Sequence, residues 1–176
     1  MSKATNNQMT PLNIAVLTVS DTRDLNNDTS GDYLVKALQK DGHNLGDRQL
    51  VKDDRYQLRA IVSQWIANQS IHAIITTGGT GFTPRDNTPE ALAPLFDKTI
   101  DGFGELFRHL SIDTIGTSTV QSRCIAGLAN NTLIACLPGS TGACKDAWQG
   151  ILHEQLDSRY KPCNFAPHLL GEYAHK

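Results

Sequence analysis

The feature that most constrains the fold of this 176-residue chain is an alternation of short apolar runs with amphipathic segments. Residues 14–19 and 71–76 are nearly continuous apolar runs, typical of strands that are covered on both faces. Residues 43–51 predict a weaker strand between them. Because helices are predicted on either side of that strand, the order is strand–helix–strand–helix–strand. This order predicts an α/β fold with a mostly parallel sheet and helices on both faces.

Two helices are predicted in the first half of the chain. The first begins at residues 29–31 and ends at Asp41 and Gly42. In the second, apolar side chains recur with helical spacing at Leu58, Ile61, Val62, Trp65 and Ile66. Either Asp53 or Asp54 is predicted to cap the start of this second helix.

The second half of the chain predicts further helices and a hairpin. Thr88 is predicted to cap a helix that has Pro89 in its first position and runs through Phe96. Residues 102–110 predict another helix. Residues 129–132 are a turn signal between two apolar runs, which predicts an antiparallel hairpin. A last helix is predicted after that hairpin, and its apolar face consists of Ala147, Trp148, Ile151, Leu152 and Leu156.

Composition narrows the class of protein. The formal net charge of −2 gives no electrostatic reason to expect a nucleic-acid or membrane partner. The first eleven residues are polar, and no apolar run approaches the roughly 20 residues that span a bilayer. We therefore expect a cytoplasmic protein with free, buried thiols at its four cysteines, Cys124, Cys136, Cys144 and Cys163.

No repeat or linker divides the chain. We predict a flexible N-terminal tail over residues 1–11, a single domain over residues 12–170, and a C-terminal tail over residues 171–176.

Several polar loops follow the predicted strands. They cover residues 20–31, 77–87 and 138–142, and the pair Asp53 and Asp54 follows the second strand. Because parallel strands end at one edge of a sheet, these loops are expected to lie together, where open α/β sheets bind their ligands.

The most distinctive of these loops is rich in glycine and consists of Thr77, Gly78, Gly79, Thr80 and Gly81. Glycines allow backbone amides to approach an anion closely, which favours binding of a phosphate. The pattern is neither a Walker A loop nor GxGxxG. A glycine-rich turn without a ligand is the alternative.

Aspartates stand in three of the four converging segments, at Asp21, Asp53 and Asp86. Carboxylates beside a phosphate repel it unless a cation lies between them, so together they indicate Mg²⁺. Each also has a structural alternative, since Asp21 can form a turn, Asp53 can cap a helix and Asp86 can hold its own loop. The sequence contains no HExxH or GxSxG motif.

Six motifs in order resemble those of the MoaB/MogA family of molybdenum cofactor biosynthesis proteins, over about residues 14–170. They are Thr-Val-Ser-Asp at 18–21, Asp-Thr-Ser-Gly at 28–31, Thr-Gly-Gly-Thr-Gly at 77–81, Asp-Asn-Thr-Pro-Glu-Ala at 86–91, Gly-Phe-Gly-Glu-Leu-Phe-Arg at 102–108 and Pro-Gly-Ser at 138–140. Residues 118–123, 138–141 and 161–165 are most similar to the MoaB branch.

The resemblance implies a three-layer α/β/α sandwich that assembles into homotrimers or hexamers. It implies binding of molybdopterin, a pterin with a terminal phosphate, and work alongside other molybdenum cofactor biosynthesis proteins. MogA-type enzymes adenylylate molybdopterin with Mg·ATP, so ATP and Mg²⁺ are implied as well. A non-catalytic molybdopterin-binding protein is the alternative, and a nucleotide-binding protein of another pathway is a third.

The resemblance also assigns site residues. Asp53 and Asp86 are implied to be catalytic and to hold Mg²⁺. The implied ligand-binding residues are Ser20, Asp21, Thr77, Gly78, Gly79, Thr80, Gly81, Pro138, Gly139 and Ser140.

Overall fold

The computed structural model describes residues 8–173, so residues 1–7 and 174–176 of the two predicted tails lie outside the described part. The strands are β1 (Asn13–Val19), β2 (Asn44–Val51), β3 (Ala73–Thr77), β4 (Lys98–Thr99), β5 (Ile125–Ala129) and β6 (Thr132–Leu137). The helices are α1 (Thr29–Lys40), α2 (Arg55–Ala67), α3 (Thr88–Leu92), α4 (Asp101–Ile115), α5 (Thr141–Ala147), α6 (His153–Leu156) and α7 (Ala166–Leu169). Two 3₁₀ helices, Ala93–Leu95 and Gly116–Gln121, follow α3 and α4, and a π-helical turn, Trp148–Leu152, joins α5 to α6.

The strands form one sheet in the order β2-β1-β3-β6-β5-β4. The first four are parallel neighbours, whereas β5 runs antiparallel to both β6 and β4. At the β5–β6 turn Asn130 and Asn131 have φ values of 48° and 62°, the left-handed conformation that a tight hairpin turn requires. The predicted parallel sheet and the predicted hairpin are both confirmed.

The direction in which successive strands are added to the sheet reverses between β1 and β3. From β1 the chain first moves outward to β2 and then returns to pair β3 on the other side of β1. Thr77 in β3 pairs with Thr18 in β1 and with Leu137 in β6, so the three central strands end at the same level. In open α/β sheets this switch point opens a crevice at the carboxyl ends of the strands.

Two apolar clusters cover the two faces of the sheet. Along β1, Ile14 and Val16 face the cluster that contains α1, α4 and the segment from α5 to α7, and Ala15 and Leu17 face the cluster that contains α2 and α3. All four side chains are fully buried, as the twofold side-chain alternation of a covered strand requires. The three-layer α/β/α arrangement is confirmed.

The helix starts differ in detail from the predictions. Asp54 caps α2, because its carboxylate accepts hydrogen bonds from the amides of Tyr56 (3.0 Å) and Gln57 (2.9 Å). Thr88 does not cap α3. Asn87 occupies the cap position, and Thr88 is the first helical residue. The predicted helix through Phe96 ends earlier, at Leu92, and continues only as a short 3₁₀ helix.

Three of the four cysteines, Cys124, Cys136 and Cys144, are buried, and all four are free thiols. Cys163 is exposed, so the prediction of four buried thiols is wrong at this position. It lies in the segment between α6 and α7. None of the helices within residues 8–173 has the length and apolar composition needed to cross a bilayer.

Candidate functional site

A cleft of about 510 Å³ opens at the switch point, above the carboxyl ends of the central strands. It is lined by eleven of the twelve residues that the sequence analysis proposed as site residues: Ser20, Asp21, Asp53, Thr77, Gly78, Gly79, Thr80, Gly81, Asp86, Gly139 and Ser140. The twelfth, Pro138, does not line the cleft, but its carbonyl oxygen accepts a hydrogen bond from Thr77 Oγ1 at 3.0 Å. The structure therefore brings the predicted residues together from four separate loops.

Two glycines determine the path of the loop at residues 77–81. Gly78 has a φ of 104°, and a Cβ atom there would overlap the carbonyl oxygen of Val19. Gly79 has a φ of 64°, and its Cβ position would collide with the Asp53 carboxylate. Both the backbone conformation and the lack of space therefore require glycine at these two positions. The Gly78 amide donates to Leu137 O at 3.0 Å, which ties the loop to the end of β6.

Two amides of this loop, those of Gly79 and Thr80, are free to bind an anion. Within residues 8–173, no atom accepts a hydrogen bond from the amides of Gly79 and Thr80. Unpaired amides in a concave glycine-rich turn carry partial positive charge and suit phosphate oxygens.

Asp53 lies against this loop and is almost completely buried, with 5% of its surface exposed. Burial raises the pKa of its carboxyl, and the carboxylates of Asp86 and Asp21 raise it further. The amide of Asn87, which lies 3.3 Å from both carboxylate oxygens, and the charge of Arg85 offset this only in part. The Asp53 carboxylate is therefore poorly stabilised by the protein, and a bound cation would stabilise it.

Asp86 is in a different situation. Its Oδ2 accepts hydrogen bonds from the amide and the hydroxyl of Thr83, at 2.8 and 2.6 Å. These hydrogen bonds from Thr83 lower the pKa of Asp86, so this carboxyl stays ionised. Asp86 therefore holds its own loop, which is the structural role that the sequence analysis gave as the alternative to a catalytic one.

Asp21 bridges two loops across the mouth of the cleft. Its carboxylate pairs with Arg85 through two hydrogen bonds, from Nε at 2.9 Å and Nη2 at 2.8 Å. Hydrogen bonding to Arg85 lowers the pKa of Asp21. The Asp53 amide also donates to Asp21 Oδ1, at 3.2 Å. Ser20 organises the same loop, because its hydroxyl oxygen accepts hydrogen bonds from the amides of Thr22 and Arg23.

Two arginines of the cleft, Arg23 and Arg85, were missed in the sequence analysis. Arg23 Nη1 donates to the hydroxyl of Ser30 at 2.6 Å and to Gly139 O at 3.2 Å, which connects the loop after β1 to the loop after β6. A signal existed for both, because each lies in one of the converging loops and a phosphate site attracts cations.

Two carboxylates of the cleft, Asp53 and Asp86, are of the ligand type that Mg²⁺ prefers. No group of three or more His, Cys, Asp or Glu side chains within residues 8–173 is arranged to hold a metal ion. Mg²⁺ is commonly held by one or two carboxylates together with substrate phosphates. Asp53, with its raised pKa and few donors, is the side chain that best fits this role, and Asp86 is close enough to raise that pKa.

Comparison with known proteins identifies the family. Residues 15–158 match the family described as "Probable molybdopterin binding domain". A protein of Escherichia coli (strain K12), molybdenum cofactor biosynthesis protein B, is 55% identical over 159 residues, which cover 90% of this chain and 94% of that protein. The chain belongs to the MoaB/MogA family of molybdenum cofactor biosynthesis proteins.

Solved structures of the MoaB/MogA family share the fold. A crystal structure of molybdenum cofactor biosynthesis protein B superposes with a TM-score of 0.84 at 33% identity, covering 95% of this chain and 98% of that one. A MogA structure superposes with a TM-score of 0.68 at 29% identity, covering 80% and 92%. The chain is thus more similar to this MoaB structure than to this MogA structure, as the MoaB-like segments predicted.

Proposed function

We propose that this MoaB/MogA family member binds molybdopterin in the cleft and adenylylates it with Mg·ATP. The observation that carries the proposal is the meeting of the glycine-rich loop with Asp53 and Asp86 in one cleft. The unpaired loop amides suit a phosphate, and the two carboxylates suit the magnesium ion of Mg·ATP.

The residues of the chain would act mainly by positioning. The amides of Gly79 and Thr80 hold phosphate oxygens, and Arg23 and Arg85 supply positive charge at the rim. An oxygen of the pterin phosphate attacks the α-phosphorus of ATP, a new P–O–P bond forms, and pyrophosphate leaves with the electrons of the broken bond. A phosphate oxygen is already ionised at neutral pH, so no strongly tuned general base is needed.

Mg²⁺ bound with ATP would supply positive charge that offsets the charge of the phosphates and of the carboxylates. Asp53 and Asp86 are the side chains that would hold it. Asp21, which is engaged by Arg85, is better suited to keep that arginine at the cleft mouth.

The alternative function is a non-catalytic protein of the same pathway that holds molybdopterin in this cleft. One observation favours it: Asp86 and Asp21 already have protein partners, so their presence is explained without a metal. A nucleotide-binding role in another pathway has no comparable support, because the chain belongs to the MoaB/MogA family.

The two functions are separated by one assay. Purified protein is incubated with molybdopterin and Mg·ATP, and adenylylated molybdopterin and pyrophosphate are measured. We expect both products from the wild type, loss of both on omitting Mg²⁺, and none from Asp86→Ala. Asp54→Asn is the control, because asparagine also caps a helix and Asp54 lies outside the cleft lining. Binding of molybdopterin without product would favour the non-catalytic function.

We propose a cytoplasmic homotrimer or hexamer that works with the other proteins of molybdenum cofactor biosynthesis. The free thiols suit a reducing compartment. Oligomerisation is supported by partly exposed apolar side chains on α4 and the following 3₁₀ helix, at Leu106, Ile112, Ile115 and Val120. Light scattering after gel filtration measures the oligomer, and a monomeric mass would contradict this part.

A further inference from the structure

Arg123 lies behind the glycine-rich loop, 42 residues beyond Gly81 in the chain, and donates to two carbonyl oxygens of the loop and to that of Asp86. Nε donates to Thr80 O at 3.1 Å, and Nη2 donates to Gly81 O at 2.5 Å and to Asp86 O at 3.1 Å. One guanidinium therefore connects both ends of the segment over residues 80–86.

The carbonyl groups before Thr80 are held in a similar way by Thr88. Its hydroxyl donates to Gly78 O at 2.9 Å, and its amide donates to Gly79 O at 2.9 Å. Four consecutive carbonyl groups, from Gly78 to Gly81, thus have donors supplied by two residues that lie outside the cleft lining.

This pattern determines where the loop amides point. In a trans peptide group the carbonyl oxygen and the amide hydrogen of the next residue point in opposite directions. Thr88, by holding the carbonyl groups of Gly78 and Gly79, therefore turns the amides of Gly79 and Thr80 to the opposite side. Arg123, by holding the carbonyl groups of Thr80 and Asp86, does the same for the amides of Gly81 and Asn87. These two amides donate to the carboxylates of Asp86 and Asp53, respectively. Amides that are oriented before a ligand arrives bind an anion without the cost of reorganisation.

The Arg123 side chain is itself held firmly. Glu90 pairs with Nη1, and the guanidinium carbon lies 5.2 Å from the centre of the Phe82 ring. A guanidinium is planar and presents five donors in fixed directions, whereas a lysine ammonium is a single flexible point of charge. Lysine at this position could therefore keep the charge but could not serve the same three carbonyl groups.

We infer that Arg123 is a positioning residue of the phosphate site, which from behind directs the amides of Gly81 and Asn87 towards the carboxylates of Asp86 and Asp53. The inference rests on the proposed function as far as the ligand is concerned, since molybdopterin and ATP are the phosphates that the loop would bind. The orientation of the amides is a property of the free protein and is measured separately.

Arg59 provides a matched control. It donates Nε to Ala91 O at 2.9 Å and Nη2 to Glu90 O at 3.2 Å, so it also serves backbone carbonyls, but in α3 rather than in the loop. Arg123→Gln and Arg59→Gln each remove a guanidinium that donates to backbone carbonyl groups, the first at the glycine-rich loop and the second at α3. Arg123→Lys tests whether charge alone suffices.

The first measurement is hydrogen exchange of the Gly81 and Asn87 amides in ligand-free protein, read by NMR. We expect Arg123→Gln to shift these resonances and raise their exchange rates at least tenfold, and Arg59→Gln to leave them unchanged. Unchanged amides in Arg123→Gln, or equal changes in both variants, would overturn the inference whatever the protein binds.

The second measurement is the affinity for molybdopterin and for Mg·ATP. We expect Arg123→Gln to weaken binding 10- to 100-fold and Arg59→Gln to bind as the wild type does. Arg123→Lys should recover less than half of the lost binding free energy. Wild-type affinity in Arg123→Gln would also overturn the inference. If the wild type itself binds neither ligand, the proposed function fails, and the exchange experiment still decides the role of Arg123.

Discussion

Asp53 lies so close to Gly79 that a Cβ atom on the glycine would stand 3.1 Å from Asp53 Cγ and would overlap a carboxylate oxygen. Asp53 follows β2 and Gly79 follows β3, and β1 lies between these strands. The two loops therefore reach towards each other over the end of β1, across about 10 Å of sheet. A buried carboxylate beside unpaired amides is the central feature of the cleft.

Gly79→Ala tests this contact. The methyl group would meet Asp53 and the Thr88 hydroxyl, and the φ of 64° is unfavourable for alanine. We expect the free energy of unfolding to fall by roughly 1–3 kcal/mol in urea denaturation. Gly142→Ala is the control, because Gly142 lies in α5 with no atom within 4 Å of its Cβ position. It should be neutral or stabilising by up to about 1 kcal/mol. Equal effects at the two positions would contradict the close contact.

Asp53→Asn tests the raised pKa of the Asp53 carboxyl, which burial causes. Because the folded state holds this proton more tightly than the unfolded state, the stability of the wild type falls as the pH rises from the ordinary Asp pKa through the raised one. We expect Asp53→Asn to be more stable than the wild type at pH 7, by on the order of 1 kcal/mol, with a smaller difference towards pH 4.

The same variant should lose adenylyl transfer by at least about 100-fold, so stability and activity would move in opposite directions. Urea denaturation between pH 4 and pH 8 measures the stability, and the product assay measures the activity. A destabilised Asp53→Asn at pH 7 would show that the carboxylate stabilises the fold.

Asp28→Asn tests the support beneath the cleft. Asp28 is 1% exposed, and its carboxylate accepts hydrogen bonds from Thr18 Oγ1 at 2.7 Å, the Gly31 amide at 3.0 Å and Arg48 Nη2 at 3.0 Å. Burial alone would raise the pKa of Asp28, but these hydrogen bonds outweigh it and lower the pKa. Its stabilising effect is therefore present above the ordinary Asp pKa and is lost as the pH falls through the lowered one.

We expect Asp28→Asn to lower the free energy of unfolding by roughly 1.5–3 kcal/mol at pH 7 and to flatten its dependence on pH below 4. Asp32→Asn removes the second carboxylate on Arg48, at 2.6 Å, from a side chain that is 42% exposed. That control should cost about 1 kcal/mol or less. A larger loss in Asp32→Asn than in Asp28→Asn would contradict the buried network.

The cysteines give a prediction that is independent of any ligand. Burial raises the pKa of Cys136 to about 12 and that of Cys144 to about 11, and it raises the pKa of Cys124 as well. The thiolate is the reactive form, so these three thiols should not react in the folded protein at pH 8. A thiol reagent should label Cys163 alone, and all four cysteines in denaturant. Rapid labelling of Cys136 in native protein would show that the sheet opens locally.

Part of the fold could be predicted from local pattern alone. The apolar runs at residues 14–19 and 71–76 became buried central strands, and the turn at Asn130 and Asn131 became the hairpin. These signals are short-range, because side-chain periodicity and turn conformation depend on residues only a few positions apart. Helix ends were less certain. At Thr88 a hydroxyl suited to capping donates instead to Gly78 O across the loop.

Predicting the site needed more than local pattern. The glycine-rich loop and the aspartates could be recognised, yet the sequence could not show that Asp54 caps α2 and leaves Asp53 free to face Gly79. Nor could it show that Arg123 serves a loop 42 residues away. Such pairs depend on which strands are neighbours.

The sequence by itself determined the α/β class, the hairpin, the family and the set of loops that meet at the cleft, because each depends on nearby residues or on recognisable motifs. Only the tertiary structure decided which carboxylate is buried, which is neutralised by Arg85, and which guanidinium holds the loop from behind. The physical reason is that burial and long-range hydrogen bonds are set by strand order and packing. Two atoms far apart in the chain meet only once the sheet has formed.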